Sequence, residues 1–292
     1  MTVVIAVVVG FLAVRFLVVA AHQVLDAPAL QRENYRGKTI PVVGGVLVVA
    51  AVLIVEAGRA TLGAVGLGDE PGLNLARPLL LLVCFGFGML GLMDDILGTG
   101  EDRGFKGHLR ALSQGRVTTG LLKLVGGAGI AIVVAAEPGF ITGKRVIADA
   151  LLIALAANLG NLLDRAPGRT IKAVLVAYVP IAVVLGTGAV GIAVAPVMGA
   201  ALGVLPGDLR ERLMLGDTGA NVLGAVLGVA VVLGTSRATR NGVIVSLIVL
   251  NLAAEFVSFS RVIDRVPPLR WLDRLGGRAR PAAAARADGT DP

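Results

Sequence analysis

Residues 78–98 read PLLLLVCFGFGMLGLMDDILG, an apolar run that ends abruptly in two adjacent carboxylates, Asp94 and Asp95. Roughly 20 apolar residues cross a bilayer, and somewhat fewer suffice where a helix is buried among others, so this run predicts a membrane helix near 76–93. The rest of the chain is of the same kind. Of its 292 residues 55% are hydrophobic and 16% charged, with a mean hydropathy of +0.83, whereas a soluble domain carries about 25% charged residues. Further apolar stretches predict helices near 3–21, 41–57, 117–136, 146–163, 171–187, 189–206, 218–235 and 241–260. The expected fold class is all-α: a polytopic membrane protein of about nine transmembrane helices. Residues 1–260 would form a single transmembrane domain, and 261–292 a cytoplasmic interfacial helix with a disordered tail. The first stretch lacks a basic n-region and a small-residue cleavage site, so it reads as a retained helix.

Lysine and arginine mark the cytoplasmic side of a membrane protein. The loops after the first, third, fifth and seventh stretches, together with the arginines from Arg261 to Arg286, hold nineteen such residues, and the opposite side holds six. That bias predicts an amino terminus outside, a carboxyl terminus in the cytoplasm, and a multi-pass protein of the cell membrane whose active face is cytoplasmic. The net charge of +7 is then topological. With only 4% aromatic residues and its basic residues spread between apolar runs, the chain shows no sign of nucleic-acid binding. The single cysteine, Cys84, excludes an internal disulfide or thiolate metal site. Gly199/Gly203 and Gly224/Gly228 have the small-xxx-small spacing of close helix contacts.

Carboxylates at the ends of membrane spans cost several kcal/mol unless something compensates them. Asp94 and Asp95 close the third span, Asp164 closes the fifth and Asp217 opens the eighth, which places all four at the cytoplasmic level. Oxygen ligands of this type suit Mg²⁺, or alternatively Mn²⁺, with room left for phosphate oxygens. The same level carries Lys38, Lys106, Arg110, Arg165, Arg169 and Lys172, and Lys123 lies just inside the fourth span. Carboxylates with a hard metal, ringed by cations, describe a phosphate-handling site. Each part also has a plainer reading: Asp217 could merely cap a helix, and Asp164 could pair with Arg165 or Arg169 as a loop lock.

The segments KTIPVVGG (38–45), GLMDDILG (91–98), TTGLLK (118–123), NLLD (161–164) and GDTG (216–219) occur in an order that resembles the polyprenyl-phosphate N-acetylhexosamine-1-phosphate transferases. That family includes the phospho-N-acetylmuramoyl-pentapeptide transferase of peptidoglycan synthesis. The resemblance implies Mg²⁺-dependent transfer of a phospho-sugar from a UDP-sugar to a polyprenyl phosphate, with release of UMP, in cell-wall biogenesis. Carried over, Asp217 would be the principal metal ligand. Asp94 and Asp95 would lie beside the acceptor phosphate, one of them assisting the metal or accepting a proton. Asn161 and Asp164 would face the nucleotide, and Lys38 and Lys123 would contact phosphate. Implied partners are the polyprenyl phosphate, the nucleotide sugar and membrane lipids, and a homodimer is compatible with the reading.

The chain departs from the family in several places. Its two histidines are His22 and His108, so 261–292 has none where the family has a histidine-rich loop. The tail is polar where the family has a tenth span, Met214 stands where the family has an aromatic residue, and Arg165–Gly168 occupies the turn after NLLD. Other cations would then bind the donor, and Lys106 and Arg110, four apart on one face of a helix, are the nearest candidates. The alternative reading is a non-catalytic relative that binds polyprenyl phosphate or a cell-wall partner.

Overall fold

The computed structural model describes residues 2–21, 23, 26–67, 75–98, 114–115, 118–137 and 142–278. Among them, nine long helices run α1 (Val3–Ala20), α2 (Gly44–Ala64), α3 (Ala76–Leu97), α4 (Thr119–Ala136), α5 (Gly143–Leu163), α6 (Arg169–Leu185), α7 (Ala189–Leu209), α8 (Gly216–Gly234) and α9 (Arg237–Phe256). Two short helices follow, α10 (Phe259–Arg265) and α11 (Pro267–Arg274). Eight of the long helices are long and apolar enough to cross a bilayer, which makes this an all-α, multi-pass membrane protein. The remaining one, α6, has 17 residues and begins with the buried Arg169 and Lys172.

The helices sort by depth in the bundle. In α8, 83% of the apolar window is buried, against 6% in α9. Accordingly α8 is the central post, packed by α5, α3, α2, α6 and α7, while α9 leans on α5 at the rim. Apolar surface gains nothing by leaving lipid, so association depends on close backbone packing at small residues. Both glycine pairs singled out in the sequence serve this end. A side chain on Gly199 or Gly203 would strike α1 at the Val7 carbonyl or Val14, and one on Gly224 or Gly228 would strike α5 at the Ala156 carbonyl or the Ile153 Cα.

The boundaries shift where a polar partner permits. The last long helix, expected over 241–260, starts earlier because Ser236 caps it by accepting from the Thr239 amide at 3.2 Å. Its first-turn Arg240 is tolerated because Asp149, fully buried in α5, accepts from it at 2.9 Å and also binds Arg145. The second long helix was expected from residue 41, but the chain before it forms an antiparallel hairpin of β1 (Gln31–Glu33) and β2 (Thr39–Pro41). Asn34 shapes that turn by accepting from the Arg36 and Lys38 amides. The boundary expected at 260 falls inside α10. The stretch expected to be disordered, 282–292, lies outside the described residues.

Candidate functional site

The site forms where α3 and α5 end and α4 and α8 begin. Lys123, one turn into α4, donates to Asp94 Oδ2 at 3.1 Å and to Asp217 Oδ2 in a short contact. Asn161 completes the set: with its amide oriented to suit its neighbours, it donates to Asp217 Oδ1 at 2.8 Å and accepts from Lys123 at 3.1 Å. One ammonium is thus held by three oxygens from three different helices. Thr119 fixes the other oxygen of Asp94 by donating to it at 2.7 Å.

The paired aspartates divide their work. Asp95 accepts from the backbone amides of Asp217 and Thr218, at 2.9 and 3.0 Å, and from the Thr218 hydroxyl at 2.7 Å. It therefore caps α8 from a neighbouring helix, and Asp217, which local sequence allowed as the cap, is left to face Lys123. Gly91 and Gly216 permit this approach. A Cβ on Gly91 would lie 2.5 Å from the Thr218 backbone, and one on Gly216, whose φ is +73°, would lie 2.8 Å from Asp95 Oδ2. Asp95→Ala should leave the first amides of α8 unsatisfied and cost about 2–3 kcal/mol. A thermal melt in detergent should show the loss, with Asp95→Asn retaining part of the stability.

Asp164 caps the end of α5 and accepts weakly from Thr170 at 3.4 Å. Burial, reinforced by the charges of Asp208, Asp217 and Asp95, pushes its carboxyl well above the usual carboxylate range, and the Thr170 hydroxyl offsets only part of this. Asp208 did not stand out in the sequence, although it closes a span as Asp94 does. It accepts from the Gly168 amide at 2.6 Å and from the Leu215 amide at 3.2 Å, tying the turn after Asp164 to the loop before Asp217.

Glu211 was also missed. It is buried at a φ of +52° and accepts from Asn34, Tyr35 and Arg36 at 3.1, 3.0 and 2.8 Å. These bonds seat the hairpin on the 210–215 loop, where Val42 pairs with Met214. Lys38 rides on that hairpin and reaches the Glu211 carbonyl at 3.5 Å.

Not every expected site residue converges. Arg169 is engaged elsewhere: its guanidinium is buried against Asp273, at 2.8 and 3.1 Å, and Ser260, at 2.8 Å. Lys172 likewise donates to backbone carbonyls at the end of α11. Both are diverted because α11 folds back over the start of α6 and brings a buried carboxylate that demands a cation. Arg165 is exposed on its turn. Lys106 and Arg110 lie outside the described residues. Compared with family models and with curated proteins, the chain matches none.

Proposed function

We propose that the protein is a membrane phospho-sugar transferase that moves a sugar phosphate from a UDP-sugar to a polyprenyl phosphate at the cytoplasmic face of the cell membrane. The observation that carries the reading is the cation seat: three oxygens from α3, α5 and α8 converge on one positive charge at the end of the bundle. The ordered motifs resembling the polyprenyl-phosphate transferases supply the reaction class. A nine-span arrangement that counts α6 as a crossing, with an outside amino terminus, would suit this assignment, because it would put the basic loops and the seat on the same side.

The donor set is all oxygen, so it fits a hard divalent cation, Mg²⁺ or Mn²⁺. Among the described residues no group of three carboxylates, histidines or cysteines forms a complete metal cage. Asp217, Asp94 and the Asn161 amide would hold the ion together with substrate oxygens. When bound, it would neutralise charge on the donor diphosphate.

In the reaction implied by the resemblance, an oxygen of the acceptor phosphate attacks the phosphorus bearing the sugar, and the bond to the UMP phosphate breaks. UMP leaves with the electron pair of that bond. The chain's own contribution is position and charge. Lys123 orients Asp94 and Asp217 and can turn its ammonium to a phosphate. Asp95, as a positioning residue, sets the register of α8 and hence the place of Asp217. Asp164, at the end of α5 beside Asn161, would face the nucleotide, as the resemblance implies.

The test is incubation of the purified protein with Mg²⁺, undecaprenyl phosphate and a panel of UDP-sugars. UMP release with at least one donor is expected. Binding of the lipid phosphate without UMP from any donor would favour the non-catalytic reading instead. For topology, in a Cys84→Ser background, Gly143→Cys should react with a membrane-impermeant thiol reagent in intact cells and Gly276→Cys should not. The reverse pattern would invert the orientation and with it the cytoplasmic site.

A further inference from the structure

Residues 259–278 carry five arginines, Arg261, Arg265, Arg270, Arg274 and Arg278, and two aspartates. Asp273 is already matched by the buried Arg169, so the strap has a surplus of positive charge. The buried face of α11 is fixed in place: Asp273 meets Arg169, and Lys172 donates to the carbonyls of Leu272 and Leu275, at 2.9 and 3.3 Å. Because α6 begins at Arg169, this holds α11 at the level where the membrane spans end.

The opposite face of α11 is apolar and open. Trp271 is 67% exposed and Leu275, just past the end of α11, is 47% exposed, and both line the same opening. Arg270 and Arg274 flank them, and Asp264 draws both guanidiniums to the same edge, through its carbonyl at 3.4 Å and its carboxylate at 3.2 Å. Together with Pro267 and Gly276 these side chains line an open cavity of about 480 Å³. The exposed apolar surface continues from Phe256, at the end of α9, through Val262, Val266 and Leu269. An indole body with arginines beside it, at the depth of helix ends, matches the head-group zone, where the ring meets acyl chains and guanidinium meets phosphate. Arginine binds phosphate oxygens in a bidentate fork.

We propose that the cavity at 267–276 binds the phosphate head group of an anionic phospholipid, docking α11 on the bilayer surface with Trp271 inserted. This rests on the membrane character of the chain and is independent of the transferase reading. Trp271 is the only tryptophan in the chain, so intrinsic emission reports on this site alone. The experiment uses the full chain in nanodiscs of phosphatidylcholine, with or without phosphatidylglycerol. With phosphatidylglycerol the emission should shift to the blue, brominated acyl chains should quench it, and acrylamide quenching should be roughly halved. Arg270→Gln combined with Arg274→Gln should abolish the difference between the two compositions, and high salt should weaken it. Equal emission and quenching in both lipids would overturn the proposal, as would a folded double variant that keeps the full lipid dependence. If the double variant does not fold, the comparison of lipids on the unsubstituted chain decides alone.

Discussion

Asp217→Asn is expected to lower UMP release by about three orders of magnitude while the protein stays folded. The substitution keeps the shape of the side chain and removes one negative charge from the cation seat. The competing explanation, that Asp217 serves as a helix cap, has lost its place, because Asp95 accepts from the first amides of α8. A cooperative melt, lowered only by the loss of the Lys123–Asp217 pair, beside a collapsed rate therefore separates chemistry from folding. Full turnover by the Asn variant in Mg²⁺ would refute the metal assignment.

Lys123→Met should lower stability measurably in metal-free detergent. Without the ammonium, Asp94 and Asp217 lose their shared counter-charge and Asn161 loses a donor. Breaking a buried ion pair costs about 3–5 kcal/mol, and the 17–30% exposure of these side chains reduces the expected loss to about 2 kcal/mol. Added Mg²⁺ or Mn²⁺ should restore part of this in the variant and do less in the parent, since the ion would meet the same oxygens. A variant that melts lower but ignores divalent ions would remove the support for a metal at this seat. Equal melting of variant and parent would show that Lys123 is not part of its framework.

The two predictions differ in how far the sequence alone could have reached them. That Asp94 and Asp217 are exceptional is legible from position, because a carboxylate at the end of an apolar run is costly wherever the helices pack. The same holds for Lys123 near the start of its span. That Asp94 and Asp95 would separate, one to Lys123 and the other to the amides of α8, was not legible. Adjacent residues on a helix point about 100° apart, and which neighbour each one meets depends on the rotation of α3 against α8.

By itself, then, the sequence determined the membrane environment, the approximate helices, the glycine contacts and the level at which the acidic residues lie. Each of these follows from a cost or gain felt residue by residue: the transfer of an apolar side chain, the burial of a charge, the room left by a missing Cβ. The tertiary structure alone decided the partnerships. It gave Arg169 to Asp273, Glu211 to the hairpin, Asp208 to two loops and Asp95 to the cap of α8. These bonds join residues up to 177 positions apart in the chain. They depend on helix order, tilt and rotation, which hydropathy and spacing do not encode, and a buried charge accepts whichever opposite charge the packing brings within reach.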